Sequence, residues 1–366
     1  MKVICDGNDL AEAVGKASKA LGQKTVNQIL EYIKIDATPG TLTLTATDNE
    51  LTIETSIVAD VVSEGSILVP GKLFSDFTRK LTNERIELLL ASNKLVVKYS
   101  DSAGEIACAS ADEYPEMREM SEAQSFTIIK KEFKDLISKV AFSASVDSAR
   151  PILKGVLLDV DESFITAVAL DSYRLAKCVK TLEKTSALMH AVVPARCLSE
   201  IGKMLDDSED PICAYIQRGS FRMDLGHTTV TSILLDGDFV NYRGLVPTAF
   251  ETTVTLPCEP FSDGLERAIL LSKGDKSNPV RFDINERLLV ISSMSEAGNL
   301  NEKIPIVMTG PDLAIAFNAK YFTEMLRVLS MDTITVKFNT PSAPCVVEPA
   351  GGSDDFLYLI LPVRLN

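Results

Sequence analysis

The feature that most constrains the fold is a pattern that occurs three times along the chain. Each copy begins with a short apolar strand and continues into an amphipathic helix, in segments 3–21, 126–144 and 254–272. Apolar side chains recur in these helices at the three- and four-residue spacing of one buried face. They are Leu10, Val14 and Ala17 in the first copy, Phe133, Leu136, Ile137 and Val140 in the second, and Phe261, Leu265, Ile269 and Leu270 in the third.

A second strand and helix follow in each copy. Val69, Val193 and Phe317 hold the equivalent position in the three strands, and each lies 124 residues after the one before it. Most of the remaining sequence alternates apolar and polar residues, as half-buried strands do. Segment 87–99 is predicted to be a hairpin that closes at Ser92-Asn93. Each copy is therefore an α+β unit with two helices and several strands.

The three units divide the chain into predicted domains 1–122, 126–247 and 249–366. The segments between them are short and polar or contain proline, so we expect a rigid arc rather than swinging domains. A solenoid is the alternative for a chain with internal repeats. Solenoid repeats are roughly 20–50 residues long and stack helix pairs or single strands, and these much longer α+β units do not fit that class.

Cysteine and histidine usage argues against disulfide or metal sites. The seven cysteines are dispersed with no C-x-x-C pair, and the two histidines, His190 and His227, have no cysteines at ligand spacing. This pattern is typical of reduced thiols in a cytoplasmic protein. The first residues resemble no signal peptide, and no stretch reaches the roughly 18 apolar residues of a membrane helix. We expect a soluble, intracellular chain without cofactors.

The distribution of charge is more informative than its total. The formal net charge is −14, which by itself disfavours a nucleic-acid partner. The six predicted helices, however, carry 17 basic and 12 acidic residues, so the positive charge is concentrated there. Their ranges are 8–24, 71–80, 130–139, 195–206, 259–276 and 319–328. The candidate DNA-facing residues are Lys16, Lys19, Lys24, Lys72, Arg79, Lys80, Lys134, Lys139, Arg196 and Lys203.

Two interpretations of these basic helices stay open. Lysine is common on solvated helix faces, and such faces need no ligand. Alternatively, the helices share one surface that follows the DNA backbone without reading bases, while the sheets carry the acidic residues outward. No aromatic residues alternate with the basic ones, so stacking on single-stranded bases is not indicated.

No catalytic motif is found in the sequence. Gly22-Gln23-Lys24-Thr25 resembles a phosphate-binding loop, but that motif requires glycine directly before the lysine. Two histidines offer little for acid–base catalysis near neutral pH. The segment Asp171–Arg174 has the composition of a catalytic cluster, although its place between two strands favours a structured hairpin corner. We therefore predict a protein that is not an enzyme.

Several motifs, spread over the whole chain, resemble those of the bacterial DNA polymerase III β subunits, the β sliding clamps. They are TLTLTATDNEL (41–51), ARPILKGVLL (149–158), AVALDSYRLA (167–176), DGDFVNYRGLVP (236–247) and LYLILPVRLN (357–366). The resemblance implies a head-to-tail homodimer whose twelve helices line a central hole, with the sheets outside. It implies a processivity factor that encircles duplex DNA and tethers the replicative polymerase, while a separate ATP-hydrolysing loader opens the ring.

The same resemblance implies a hydrophobic pocket for short peptides of polymerase, clamp loader and repair proteins. Its deeper part corresponds to Leu153, Leu170, Ser172, Tyr173, Arg174, Leu175, Val240, Leu245, Leu359 and Leu361. Its shallower part corresponds to Pro151, Ile152, Pro344, Val363 and Arg364. Aliphatic residues with one arginine and one tyrosine suit a peptide site, and the alternative is that they only pack a domain junction. Pro151-Ile152 replaces an aromatic pair of some relatives, and Val240 and Gly244 partly replace a proline–arginine corner.

Ring closure is expected between the first domain of one subunit and the third domain of its partner. Residues 104–109 are predicted to form an edge strand, which exposes unpaired backbone groups to another chain. By family position, Ile106 and Cys108 should pack near Leu270 and Leu271 of the partner. Two other classes of protein remain as alternatives. One is an enzyme with an unfamiliar site, which predicts convergent carboxylates, and the other is an acidic adaptor that binds proteins but not DNA.

Overall fold

The predicted alternation of strand and helix is the framework of the structure. The computed structural model describes residues 1–22, 26–81, 83–116, 120, 123–147, 149–272, 279–296, 298–352 and 355–364. Within these residues the α-helices are α1 Gly7–Ala17, α2 Gly71–Thr78, α3 Lys130–Val140, α4 Ala195–Met204, α5 Cys258–Leu271 and α6 Ala319–Leu326. Each begins directly after a strand, as predicted for all three copies.

Twenty-seven strands are described, and every pairing recorded between them is antiparallel. The first ten are β1 Lys2–Asp6, β2 Tyr32–Thr38, β3 Thr41–Thr47, β4 Leu51–Val58, β5 Asp60–Ser63, β6 Gly65–Pro70, β7 Arg85–Ala91, β8 Lys94–Tyr99, β9 Ser102–Ala107 and β10 Gln124–Ile129. Next are β11 Gly155–Val160, β12 Phe164–Leu170, β13 Arg174–Thr181, β14 Lys184–Thr185, β15 Met189–Pro194, β16 Pro211–Gln217, β17 Ser220–Asp224 and β18 Thr228–Ile233. The last are β19 Thr252–Pro257, β20 Pro279–Asn285, β21 Leu288–Ser295, β22 Gly298–Pro305, β23 Val307–Thr309, β24 Leu313–Asn318, β25 Thr333–Phe338, β26 Cys345–Pro349 and β27 Phe356–Ile360.

Four helices, α1, α2, α4 and α6, end earlier than the sequence pattern predicted, whereas α3 ends one residue later. At α1 the Asp6 side chain accepts hydrogen bonds from the backbone N–H of Asn8 and Asp9, which fixes the start of the helix. The Ser18 hydroxyl donates to the Val14 carbonyl, and a 3-10 turn over Ser18–Ala20 closes the helix well before the predicted end at residue 24. The last residues of two predicted helices, 23–24 and 273–276, lie outside the described part of the chain.

The buried faces agree with the predicted apolar stripes, with one correction. Val69, Val193 and Phe317 are each fully buried next to the last residue of β6, β15 and β24. In α5 the buried positions are Phe261, Gly264, Leu265 and Ala268, whereas the side chain of Leu270 is 59% exposed. Assigning Leu270 to the core stripe was therefore wrong, because the turn containing Ala268 faces inward instead.

The first compact unit consists of residues 1–130, 183–187 and 203–234. It contains a five-stranded sheet in the order β5-β1-β7-β8-β9 and a nine-stranded sheet in the order β14-β10-β16-β17-β18-β4-β3-β2-β6. The β18–β4 pairing joins strands of the first two predicted domains and includes a 2.9 Å hydrogen bond between the Thr55 and Thr228 hydroxyls. The predicted hairpin 87–99 is present, with Ser92 and Asn93 at positive φ in its turn.

The second compact unit consists of residues 131–182, 188–202 and 235–366. Its nine-stranded sheet has the order β15-β11-β12-β13-β27-β26-β25-β19-β23, and its four-stranded sheet has the order β22-β21-β20-β24. Helices α5 and α6 contact one another, and their Phe261 and Phe322 pack against Phe282 of β20 and Phe317 of β24, with ring centroids 5.3–5.8 Å apart. The α+β fold class predicted from the sequence is confirmed.

The cysteines of the described residues are all unpaired with one another. The seven cysteines are free thiols, four of them buried, and burial raises the pKa of Cys5 to about 12, so it stays protonated at neutral pH. Among the described residues, no group of three or more His, Cys, Asp or Glu side chains is arranged to hold a metal ion. No helix within the described ranges is long and apolar enough to span a membrane.

Candidate functional site

The corner between β12 and β13 is a tightly bonded turn. The carboxylate of Asp171 accepts hydrogen bonds from the backbone N–H of Tyr173 at 2.7 Å and of Arg174 at 3.0 Å. A further backbone hydrogen bond joins the N–H of Asp171 to the carbonyl of Arg174 at 3.1 Å. The Asp171 carboxylate thus holds the corner, as predicted for a structured hairpin corner.

Arg174 anchors the corner to two other segments of the same unit. Its guanidinium donates to the Asp171 carboxylate at 3.1 Å and to the Phe142 carbonyl at 2.8 Å, and it forms an ion pair with Glu324 on α6. The guanidinium carbon lies 4.7 Å from the ring centre of Tyr321 and 5.5 Å from that of Phe142. The side chain of Arg174 is only 9% exposed. Arg174 therefore holds the β12–β13 corner against Phe142 and Glu324.

The ionisation of this cluster is set by burial and by charge. Burial alone would lower the pKa of Arg174, but Tyr358 and the Glu324 carboxylate outweigh it and raise the pKa, so the guanidinium stays charged. Burial likewise raises the pKa of the Tyr358 hydroxyl, which donates to the Tyr321 carbonyl at 3.1 Å. Arg174 therefore stays charged and Tyr358 stays neutral near neutral pH.

Above Arg174 two tyrosines form an aromatic wall. The ring of Tyr173 lies 6.2 Å from that of Tyr321 at an interplanar angle of 20°, and 56% of the Tyr173 side chain is exposed. The Leu361 N–H donates to the Tyr173 carbonyl at 2.8 Å, which fixes the chain after β27 beside this wall. The result is an exposed aromatic surface on a rigid support, as peptide-binding sites require.

The residues predicted for the deeper pocket do gather in one place, but in two layers. Leu153, Leu170, Leu175 and Leu359 are buried in one apolar cluster, against which Ile152 and Val240 pack. Leu245 and Leu361 stay exposed, by 47% and 38%, and Ser172 is exposed as well. The buried leucines are closed to solvent, whereas Leu245, Leu361 and Ser172 are open to it.

The residues predicted for the shallower part differ in how much of each is exposed to solvent. Pro151 is exposed, while Ile152 and Pro344 are half-buried. Val363 and Arg364 line a cavity of about 390 Å³, and the Val363 N–H donates to the Ala316 carbonyl at 2.8 Å. The sequence missed Arg281, Ala314 and Ala316 of that cavity, and Phe142, Tyr321 and Glu324 around Arg174. These residues carry no local motif, because only strand and helix packing brings them to the site.

The predicted DNA-facing residues fall into three groups. Lys16, Arg79 and Lys139 pair with acidic residues three or four positions before them on the same helix, at 2.6, 2.9 and 2.6 Å. Lys72 and Lys80 are exposed and form no ion pair with any described residue. Lys19, Arg196 and Lys203 are exposed and Lys134 is half-buried, and Lys24 lies outside the described residues. Of these three pairs only Arg79–Asp76 is exposed on both sides, and exposed pairs contribute little, so a phosphate can compete for Arg79.

The predicted dimer residues lie at two separate sheet edges, one in each unit. In the first unit the edge strand β9 is Ser102–Ala107 rather than the predicted 104–109, and Ile106 is only 5% exposed because its side chain faces the core of its own unit. Cys108 is half-buried. In the second unit β22 is an edge strand, Leu270 is 59% exposed and Leu271 is half-buried. Each unit therefore has an edge strand with unpaired backbone groups on one side.

Comparison with known families gives matches along nearly the whole chain. Residues 1–118 match the N-terminal domain of the DNA polymerase III beta subunit, residues 127–241 its central domain and residues 243–364 its C-terminal domain. The three matches follow one another along the chain as N-terminal, central and C-terminal domain.

Individual relatives agree with this assignment. The beta sliding clamps of Halalkalibacterium halodurans and Streptococcus pneumoniae are 28% and 29% identical to the chain, covering 100% and 98% of both sequences. The crystal structure of the DNA polymerase sliding clamp from Bacillus subtilis is 28% identical, with a TM-score of 0.95 over 100% of both chains. A putative DNA polymerase III beta subunit from Eubacterium rectale has a TM-score of 0.93 at 29% identity over the same coverage. The chain thus belongs to the DNA polymerase III beta subunit family, the bacterial sliding clamps that act as processivity factors of DNA polymerase without catalysing a reaction themselves.

Proposed function

We propose that two copies of this chain close head to tail into a ring around duplex DNA. Two observations support closure. In the first unit, β9 is an edge strand of the five-stranded sheet. In the second unit, β22 is an edge strand of the four-stranded sheet and lies next to the exposed Leu270. A heterologous pairing of two different edges closes a ring when the rotation between copies allows it. Three domains per subunit, 1–122, 126–247 and 249–366, would place six such domains around the DNA.

The ring holds DNA by topology rather than by strong contacts. A closed ring cannot leave a duplex sideways, so weak contacts between helix lysines and phosphates suffice, and the ring can slide. Each strong phosphate contact would add a salt-dependent contribution to affinity and would oppose sliding. Lys72 and Lys80 are exposed and have no ion pairs among the described residues, so they are the best-supported phosphate contacts. Lys16, Arg79 and Lys139 are already paired with acidic residues, so they bind phosphate more weakly.

Replication and repair proteins dock through short peptides in the groove around Arg174. The observation that carries this proposal is the layering of the site: Tyr173, Leu245 and Leu361 are exposed above a base of buried leucines and a fully bonded arginine. Exposed apolar side chains on a rigid support cost little ordering entropy on binding. The replicative polymerase and the clamp loader are the expected partners, the loader supplies the ATP hydrolysis that opens the ring, and the ring works in the cytoplasm.

The native mass in solution tests the ring directly. Sedimentation equilibrium at micromolar concentration should give twice the chain mass of 39.8 kDa. A monomer at all accessible concentrations would exclude a closed ring and favour an acidic adaptor that binds proteins without DNA.

A further inference from the structure

The first compact unit contains a turn with the same hydrogen bonds as the corner of the docking site. Asp48 follows β3 as Asp171 follows β12, and its carboxylate accepts hydrogen bonds from the backbone N–H of Glu50 at 3.0 Å and of Leu51 at 2.8 Å. The N–H of Asp48 donates to the Leu51 carbonyl at 3.1 Å, the distance of the matching bond from Asp171 to Arg174. The two corners are therefore built alike.

The neighbouring strand is bonded to both corners in the same way. The N–H of Ile233, the last residue of β18, donates to the Glu50 carbonyl at 3.0 Å. In the docking site the N–H of Leu361, directly after β27, donates to the Tyr173 carbonyl at 2.8 Å. Ile233 thus matches Leu361, and Glu50 matches Tyr173. The first unit therefore has a counterpart of the docking site, where the first two predicted domains share a sheet.

A cavity of about 330 Å³ lies at this counterpart position, and we name it the threonine cavity. Glu50 and Glu116, both exposed, contribute carboxylates, and none of the described residues that line the cavity is basic. Most of the other lining side chains carry hydroxyls, namely Thr47, Thr52, Ser220, Thr231 and Ser232. The threonine cavity is therefore polar and negatively charged.

Threonines of the cavity take the places of leucines in the docking site. Thr52 on β4 is directly opposite Thr231 on β18, and the equivalent pair of the second unit is Leu175 on β13 and Leu359 on β27. Directly opposed residues of an antiparallel pair point to the same face of the sheet, so an apolar base is replaced by a hydroxyl surface. Covering hydroxyls with an apolar anchor would cost them hydrogen bonds to water, so the threonine cavity suits a polar ligand.

The chemistry of the lining matches a lysine or arginine side chain. Hydroxyl oxygens keep acceptor lone pairs and ionised carboxylates only accept, whereas ammonium and guanidinium groups only donate. The hydroxyls of Thr47 and Thr52 are hydrogen-bonded at 2.7 Å, and the Thr47 oxygen also accepts from the Asn49 N–H at 3.0 Å, so these oxygens are held in place. Glu50 and Glu116 form no ion pair with a described residue, so their charge is open to a cation.

We propose that the threonine cavity is a second peptide-docking site, which receives the lysine or arginine side chain of an extended basic segment of a partner protein. This inference rests on the proposed docking function, because the match between the two corners is what assigns a peptide to the cavity. The two sites differ in the class of segment they bind: apolar anchors in the second unit and basic residues in the first. Charge complementarity of this kind chiefly sets specificity and association rate.

Isoleucine methyl signals in the NMR spectrum of the full-length protein report the two sites separately. Ile233 lines the threonine cavity, whereas Ile152 packs against the apolar cluster of the docking site. The probe is the pentapeptide Ser-Lys-Thr-Lys-Ser, capped at both ends, and its neutral match is Ser-Gln-Thr-Gln-Ser. We expect the lysine peptide to shift Ile233 along a saturable curve and to bind about three- to tenfold more tightly than the neutral peptide at low salt. A polymerase-tail peptide should shift Ile152 instead.

The two signals also separate the ways in which the account can fail. If the polymerase-tail peptide shifts Ile152 but the lysine peptide leaves Ile233 unmoved, the second site is overturned and the docking function stands. If the polymerase-tail peptide leaves Ile152 unmoved, the docking function on which the inference rests is overturned. Spermidine that shifts Ile233 as strongly as the lysine peptide would show a general cation site and overturn peptide docking there.

Variants of the threonine cavity test the role of its charge. In E50Q/E116Q the preference for the lysine peptide should disappear, with the free energy of unfolding unchanged because both carboxylates are exposed. E64Q/D101N removes two exposed carboxylates of the same unit outside the cavity, so it is the matched control and should retain the preference. A lysine preference that survives in E50Q/E116Q would refute the assignment.

Discussion

The guanidinium of Arg174 is paired with the carboxylate of Glu324, a residue 150 positions further along the chain. This contact joins the β12–β13 corner to helix α6 within one compact unit. Because the same guanidinium also lies over the ring of Tyr321, which stacks on Tyr173, the ion pair fixes the orientation of the exposed aromatic wall. Arg174 is thus a positioning residue of the docking site.

Disrupting this ion pair should affect binding without any direct contact to the peptide. We expect R174A and E324Q each to lower the free energy of unfolding by about 2 kcal/mol, because each removes one partner of a largely buried ion pair. Both should also weaken peptide binding. In a double-mutant cycle measured by calorimetry, the effects on peptide affinity should be strongly non-additive. Additive effects would mean that Glu324 does not act through Arg174.

Removing an exposed anchor should weaken peptide binding without lowering the free energy of unfolding. We expect L361A to reduce affinity for a polymerase-tail peptide by about 1–3 kcal/mol, as for other interface anchors, with little change in stability. The matched control is L188A, since Leu188 is an exposed leucine of the same unit outside the site. Dimer mass should be unchanged in both variants. Unaltered affinity of L361A would remove Leu361 from the docking surface.

A charge at the edge of the second unit should open the ring. Leu270 is 59% exposed in the single chain, so L270D is tolerated by the fold but places an unpaired carboxylate in the proposed interface. We expect this variant to sediment as a monomer at micromolar concentration. V307D, at another exposed position of the same unit, should remain a dimer. A fully dimeric L270D would locate the interface elsewhere.

The acid stability of the second unit should depend on Asp135. Burial by itself would raise the pKa of the Asp135 carboxyl, but Lys139 and Lys180, at 2.6 and 2.7 Å, outweigh burial and hold the pKa below its ordinary value. The stabilisation is therefore complete above the unfolded pKa, near 3.9, and is lost as the pH falls through the lower folded value. D135N should cost about 1 kcal/mol at pH 7 and much less at pH 3 in urea titrations. A cost that does not depend on pH would contradict the assignment, and D312N serves as an exposed control.

The sequence predicted the repeating framework well, for a physical reason. Strand–helix starts depend on local periodicity and capping, so all six helices begin within a residue of their predicted positions. Burial at the end of α5 and at Ile106 depends on the neighbouring layer, which the periodicity of one segment does not reveal. Arg281 and Ala316 were missed for the same reason, because they meet only through the β20–β24 register.

Retention on DNA tests the topological ring most directly. After loading onto nicked circular DNA by the cognate loader, the protein should remain bound through a high-salt gel-filtration wash. Linearising the DNA should release it promptly, because the lysine contacts are too weak to stop sliding off an end. A protein held only by electrostatic contacts would lose affinity with salt, by roughly 0.9 decades per phosphate contact for each decade of salt, on either form of DNA. In K72A/K80A, loading should suffer more than retention. Equal loss from circular and linear DNA in high salt would contradict a closed ring.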